Sequence, residues 1–106
     1  MAIRLVAIDI DRTLLDDRRE LSHANQAALR DLVERGISVA LCSGRDLPST
    51  RAISDPLGLP LWLVVQNGSL VIDPSGNAVY VRSMEKPTAL AALDILERHG
   101  LAPVVY

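Results

Sequence analysis

Asp9 and Asp11 are the residues of this sequence whose type and spacing most directly suggest chemistry. They follow an apolar run of Ile3, Leu5, Val6, Ala7 and Ile8, and such a run reads as a strand buried on both faces of a parallel sheet. In an extended chain, alternate residues project to one side. Both carboxylates are therefore expected together at the carboxyl end of the strand, the edge at which open α/β sheets bind ligands. Two carboxylates this close do not both ionise freely without positive charge nearby, so the pair implies a shared proton or a cation. Mg²⁺, a hard ion that takes oxygen ligands, suits it best. Asp pairs at strand ends also serve as turn formers and helix caps.

Two further groups of polar residues stand at the ends of apolar runs. Ile37 to Cys42 reads as a second strand and is followed by Ser43-Gly44-Arg45; Leu61 to Val65 reads as a third and is followed by Gln66-Asn67-Gly68-Ser69. Taken alone, Ser-Gly-Arg is a common turn sequence and Asn-Gly a turn signal with positive φ. Their position gives them weight, because successive right-handed strand–helix–strand units bring strand ends to one sheet edge. Asp9, Asp11, Ser43 and Asn67 are expected to share that edge.

The elements that must hold these residues are legible between them. Asp16 to Glu20 is a charged loop. Ser22 is a candidate N-cap for a helix to about Arg35, with Gly36 as its stop and Ala24, Ala28, Leu29, Leu32 and Val33 on one apolar face. His23, in the first turn, is expected in solvent. A short helix is predicted from Pro48 to about Asp55. After Asn67-Gly68 the pattern changes: 70–73 and 78–82 read as an antiparallel hairpin around a Gly-containing turn. A helix from near Pro87 to Gly100 follows, with Leu90, Leu93 and Leu96 on one face, and 103–106 is predicted to start another strand.

Composition narrows the function. The 106 residues carry a net charge of −2 with mixed signs, one Trp and no Phe. That gives neither a basic field for nucleic acid nor a set of rings to stack bases. Cys42 is the sole cysteine, which excludes an intrachain disulfide and, within an apolar run, suggests a small buried hydrophobe. No signal-peptide pattern and no bilayer-length apolar run occur. A soluble, cytoplasmic protein without a membrane or nucleic-acid partner is the expectation.

Asp9-Ile10-Asp11-Arg12-Thr13-Leu14 resembles the Asp-x-Asp-x-Thr-Leu signature of the haloacid-dehalogenase superfamily of phosphohydrolases, with Arg12 where Gly is usual. Ser43-Gly44-Arg45 resembles the Thr-Gly-Arg of its Cof-type, or class IIB, subgroup, and Asn67-Gly68-Ser69 resembles the turn that ends the third strand there. The resemblance implies an α/β fold: 1–68 as the first part of a Rossmann-like parallel sheet, and 69–106 as the beginning of an α+β cap. It implies Mg²⁺-dependent hydrolysis of small phosphorylated metabolites through an aspartyl-phosphate.

The roles follow from the same resemblance. Asp9 is the nucleophile, and Asp11 the acid–base, helped by a pKa that its neighbour raises. The Asp9 carboxylate and the Asp11 carbonyl bind Mg²⁺. Ser43 and the amides of Ile10 and Gly44 cradle the phosphoryl oxygens, and Thr13, Arg45, Asn67 and Gly68 lie close to substrate. The third motif, a Lys or Arg, and the fourth, an acidic cluster, have no counterpart here: the sole lysine, Lys86, fits a linker or surface role. Part of a longer enzyme, a truncated product and one half of a split protein all fit. A non-catalytic phosphoryl- or metal-binding module is the alternative from another class. Uncovered sheet edges would favour self-association or pairing with a complementing C-terminal segment. A receiver-type phospho-acceptor domain is disfavoured, because the hairpin has no place in that fold.

Overall fold

A computed structural model describes residues 2–106. It contains strands β1 (Leu5–Asp9), β2 (Ser38–Cys42), β3 (Leu61–Val65), β4 (Leu70–Ile72) and β5 (Ala78–Val81), and helices α1 (His23–Glu34), α2 (Leu47–Ser54) and α3 (Lys86–Arg98). The strands form one sheet in the order β1-β2-β3-β4-β5. β1, β2 and β3 are parallel, in a register that sets Asp9 beside Cys42 and Cys42 beside Val64. β4 and β5 continue the sheet antiparallel, without a break at the expected boundary near residue 68.

The layout follows from the connections. A parallel pair needs a crossover, and α1 and α2 supply the two between β1, β2 and β3. Ser22 caps α1 by accepting the Asn25 N–H at 3.1 Å, and Gly36, at φ 74°, follows its end. Asp46 caps α2 by accepting the Ser49 N–H at 2.9 Å. The core lies along β2 and β3, where Val39, Leu41 and Val65 are fully buried and Leu29 of α1 packs with them. Each such side chain contributes about 1.5–3 kcal/mol relative to exposure.

Several expectations are corrected. β1 is an edge strand, with a neighbour on one side only, so Leu5 and Ala7 are exposed and Val6 and Ile8 half-buried instead of covered on both faces. Cys42 is half-buried, because it ends β2 at the sheet's open edge. The apolar stripe of α1 is narrower than its spacing implies: Leu29, Leu32 and Val33 pack inward, whereas Ala24 and Ala28 are exposed. Residues 103–106 pair with no strand among the described residues. Leu90 of α3 is exposed while Leu93 and Leu96 are half-buried, and no residue of α3 is fully buried. His23 and Lys86 are exposed, as expected.

Candidate active site

Three loops leave the sheet at the carboxyl ends of β1, β2 and β3, and the parallel register brings them side by side. The first loop begins at Asp9. Ile10 is fully buried between the exposed Asp9 and Asp11, so the alternation read from the sequence persists past the strand end. Ile10 and Leu14 anchor a wide turn closed by the Leu15 N–H on the Ile10 carbonyl at 2.9 Å. Thr13 donates its hydroxyl to Asp9 Oδ2 at 3.0 Å, which fixes the carboxylate plane. Asn25 Nδ2 donates to the Leu14 carbonyl at 2.9 Å and ties the loop to α1.

Arg12 lies at φ 61°, a left-handed conformation that glycine adopts without steric cost. The geometry accounts for the glycine usual at this position. Arg12 Nε stands 4.0 Å from Asp17 Oδ1, and its side chain is almost wholly exposed. Its guanidinium takes no part in the contacts that hold Asp9 and Asp11.

The second loop supplies the positive charge that the carboxylate pair calls for. Arg45 donates through Nε to Asp11 Oδ2 at 2.8 Å and through Nη2 to Asp11 Oδ1 at 2.6 Å. This two-point contact is the strong geometry for a guanidinium and a carboxylate. Its side-chain hydrogen bonds hold the Asp11 carboxyl below the ordinary carboxylate range, partial desolvation opposes them, and the charges of Arg45, Arg19 and Arg12 add to them. The expectation that a neighbour raises the Asp11 pKa is thus reversed, because the charges that act on Asp11 are those of the Arg45, Arg19 and Arg12 guanidinium groups and the Asp9 carboxylate is not among them. Burial, followed by the charge of Asp9, pushes the Cys42 thiol up.

Ser43 Oγ accepts the Arg45 N–H at 3.1 Å, which leaves the hydroxyl's own proton free for an incoming acceptor. The third loop packs against the second: the Gln66 N–H donates to the Arg45 carbonyl at 2.9 Å and the Asn67 N–H to the Ser43 carbonyl at 3.3 Å. Gln66, Asn67 and Gly68 all have positive φ, at 52°, 54° and 88°. Two such non-glycine residues in succession cost roughly 1–3 kcal/mol each and persist where surrounding contacts over-determine them. Asn67 at positive φ agrees with the turn signal, but Gln66 carries no such signal and was not foreseen. Asp46, whose carboxylate also meets the Ser49 hydroxyl, opens the Asp46-Leu47-Pro48 entry to the short helix, and an Asp two residues before Pro48 is the cap signal that marks it.

Asp9, Asp11, Thr13, Ser43, Gly44, Arg45 and Asn67 thus meet at one sheet edge. Asp9 and Asp11 offer hard oxygen donors of the kind Mg²⁺ takes, a carboxylate and a main-chain carbonyl. No group of three or more His, Cys, Asp or Glu side chains placed to share a metal occurs among the described residues. The donors fit such an ion in kind and would supply only part of its shell.

The family model for haloacid dehalogenase-like hydrolases matches residues 6–106. The chain belongs to that family. It is similar to phosphatase YwpJ of Bacillus subtilis, 35% identical over 95 residues that are 90% of this chain and 33% of the relative. It is also similar to the HMP-PP phosphatase of Cronobacter sakazakii, 34% identical over 85% of this chain and 33% of the relative. A solved haloacid dehalogenase-like hydrolase from B. subtilis superposes with a TM-score of 0.87 at 34% identity, over 92% of this chain and 34% of that one. The chain spans about a third of the length of these proteins. No described helix is long and apolar enough to cross a membrane.

Proposed function

We propose that the chain carries the first part of a cytoplasmic, Mg²⁺-dependent phosphohydrolase that cleaves small phosphate monoesters, such as sugar phosphates, through an aspartyl-phosphate. One observation carries the reading: the end of β1 presents an Asp9 carboxylate oriented by Thr13, and Arg45 from the end of β2 grips Asp11 beside it. A nucleophile, an acid–base and a cationic anchor thereby stand on adjacent loops. The relatives' names support the substrate class, since another B. subtilis protein, 32% identical, is a 5-amino-6-(5-phospho-D-ribitylamino)uracil phosphatase.

In this reading an Asp9 oxygen attacks phosphorus in line with the ester oxygen, forming the acyl-phosphate bond as the phosphorus–ester oxygen bond breaks. Asp11 gives its proton to the departing oxygen, then takes one from the water that attacks phosphorus and releases inorganic phosphate from Asp9. To act as an acid, Asp11 must first leave Arg45. An arriving phosphoryl dianion offers the guanidinium a second partner, and its negative charge raises the Asp11 pKa at the step that needs the proton. The Ser43 hydroxyl and the amides of Ile10 and Gly44 hold the phosphoryl oxygens. Mg²⁺, when bound by the Asp9 carboxylate and the Asp11 carbonyl, would offset charge on the transferring group.

Residues 1–68 are read as the opening of the core and 69–106 as the beginning of the cap. The 106-residue chain by itself is expected to turn over little or no substrate and to self-associate. The functional test is the protein from its complete reading frame, assayed on an aryl phosphate. Activity lost to a chelator and restored by Mg²⁺, with borohydride reduction converting Asp9 to homoserine during turnover, is the expected result. Unchanged turnover in Asp9→Asn protein free of contaminating phosphatase would overturn the covalent mechanism.

A further inference from the structure

The third loop makes no obvious chemical contribution, yet two of its N–H groups are spent on carbonyls of the second loop. The Ser43–Gly44 peptide is trans, so its C=O and N–H point in opposite directions. Its carbonyl is turned toward the third loop by the Asn67 N–H, at 3.3 Å. The Gly44 N–H of the same peptide therefore points the other way. Because the strand order is β1-β2-β3, the direction away from the loop after β3 is toward the loop after β1, where Asp9 stands. The Gln66 N–H on the Arg45 carbonyl, at 2.9 Å, fixes the next part of the same loop.

The Asn67 side chain meets the same residue. A Cβ built on Gly44 would lie 2.8 Å from Asn67 Oδ1 and 3.5 Å from its Cγ. Gly44 is not among the glycines with positive φ. A side chain at position 44 would therefore have to turn aside the exposed Asn67 carboxamide, and the backbone conformation there does not itself require glycine.

We propose that Asn67 is the positioning residue of the phosphoryl cradle: its main-chain N–H turns the Ser43–Gly44 peptide so that the Gly44 amide faces Asp9, and its side chain occupies the space that a larger residue 44 would need. The inference rests on the phosphatase reading and assigns Asn67 a role through Gly44 in place of contact with substrate. The strained pair Gln66–Asn67 is the structural cost of that clamp.

The test combines a double-substitution cycle with an amide titration, in the protein from its complete reading frame. Gly44→Ala should lower the melting temperature modestly and reduce turnover of an aryl phosphate by up to about a hundredfold, the scale of losing one oxyanion donor, as the new methyl and the Asn67 carboxamide push apart. Asn67→Gly, placed in that background, keeps the N–H and the left-handed backbone while removing the obstructing oxygen, and should restore most of both losses. Titration with inorganic phosphate should shift the Gly44 amide resonance of the wild type strongly and those of Gln66 and Asn67 weakly, because their N–H groups are already engaged. A double variant no better than Gly44→Ala in melting temperature overturns the steric pairing. Wild type that hydrolyses the ester while its Gly44 amide stays unmoved by phosphate overturns the proposal and leaves the phosphatase reading intact. Wild type that neither hydrolyses nor responds to phosphate overturns that reading and the cradle role with it, while the melting-temperature cycle still decides the steric pairing.

Discussion

Leu41 on β2 is fully buried, whereas Leu90 on α3 is 55% exposed, and the two residues typify the regions to which they belong. The half built on β1, β2 and β3 joins its loops by hydrogen bonds between the first and second and between the second and third. In the region from β5 through α3, by contrast, every residue of β5 is exposed, and an open groove of about 570 Å³ lies between α3, the hairpin and residues 103–106. Helix formation in the second region rests on local features, Pro87 in the first turn and the Arg98–Asp94 ion pair among them. The contrast teaches that the fixed geometry of the candidate site and the buried apolar surface belong to the same half. The site is held by packing beneath it, and the later region contributes little to that packing.

The largest expected difference between the regions is chemical. In the protein from its complete reading frame, Asp9→Asn should remove turnover down to background, since an amide is a poor nucleophile and a weak ligand for a hard cation. Asp11→Asn should lower it by about two to four orders of magnitude, the range for loss of general acid–base catalysis. Single-turnover kinetics on an aryl phosphate would separate the two, because the second variant can still form the acyl-phosphate slowly. Equal losses from Leu90→Ala would break the comparison by showing that the exposed helix belongs to the chemistry.

The same contrast explains what was legible in the sequence. Apolar runs, caps and turn residues mark β1 to β3, α1 and α2 because local chemistry decides them: Ser22 and Asp46 cap their helices through their own side chains. Asp9, Ser43 and Asn67 were legible as a group because parallel topology must bring strand ends together. The grip of Arg45 on Asp11 was not, since it depends on a rotamer reaching across two loops 34 residues apart in sequence. The exposure of β1 was also hidden, because an apolar run does not reveal whether a strand has one neighbour or two. Residues 103–106 carry β-prone side chains, but propensity alone provides no partner strand.

Stability should follow burial in the same way. Leu41→Ala should cost about 2–5 kcal/mol, combining lost transfer energy with the cavity left between sheet and helices. Leu90→Ala removes a side chain already in water and should stay within about 0.5 kcal/mol. Denaturant titrations of both variants at neutral pH check this. A Leu90→Ala loss as large as that of Leu41→Ala would mean that α3 is covered in solution and that the two regions are less different than they look.

The smallest predicted effect tests whether the loop-to-loop contact serves stability or only placement. Asp11 is held below its ordinary value, first by hydrogen bonds from Arg45. For an acid whose folded pKa is depressed, the stabilisation is complete above the unfolded value, near 3.8, and is lost as pH falls through the lower folded value. The Asp11 side chain is 47% exposed and that of Arg45 is 25% exposed, so water and salt screen the pair and its worth should be under about 1 kcal/mol. Arg45→Ala should therefore lower the melting temperature slightly at pH 7, less in high salt, and the gap from wild type should close as pH falls below 3.8. Asp46 and Asp73 are depressed in the same sense by local hydrogen bonds. Both remain in the variant and cancel from the difference, although Asp46 loses the minor contribution of the Arg45 charge. A gap that stays constant from pH 7 into acid would show that the Arg45 stem, and not its charge on Asp11, does the stabilising. A gap that closes, beside a large loss of turnover, would place the contact where the comparison puts it: a weak bond energetically, and the one that sets two loops in register for chemistry.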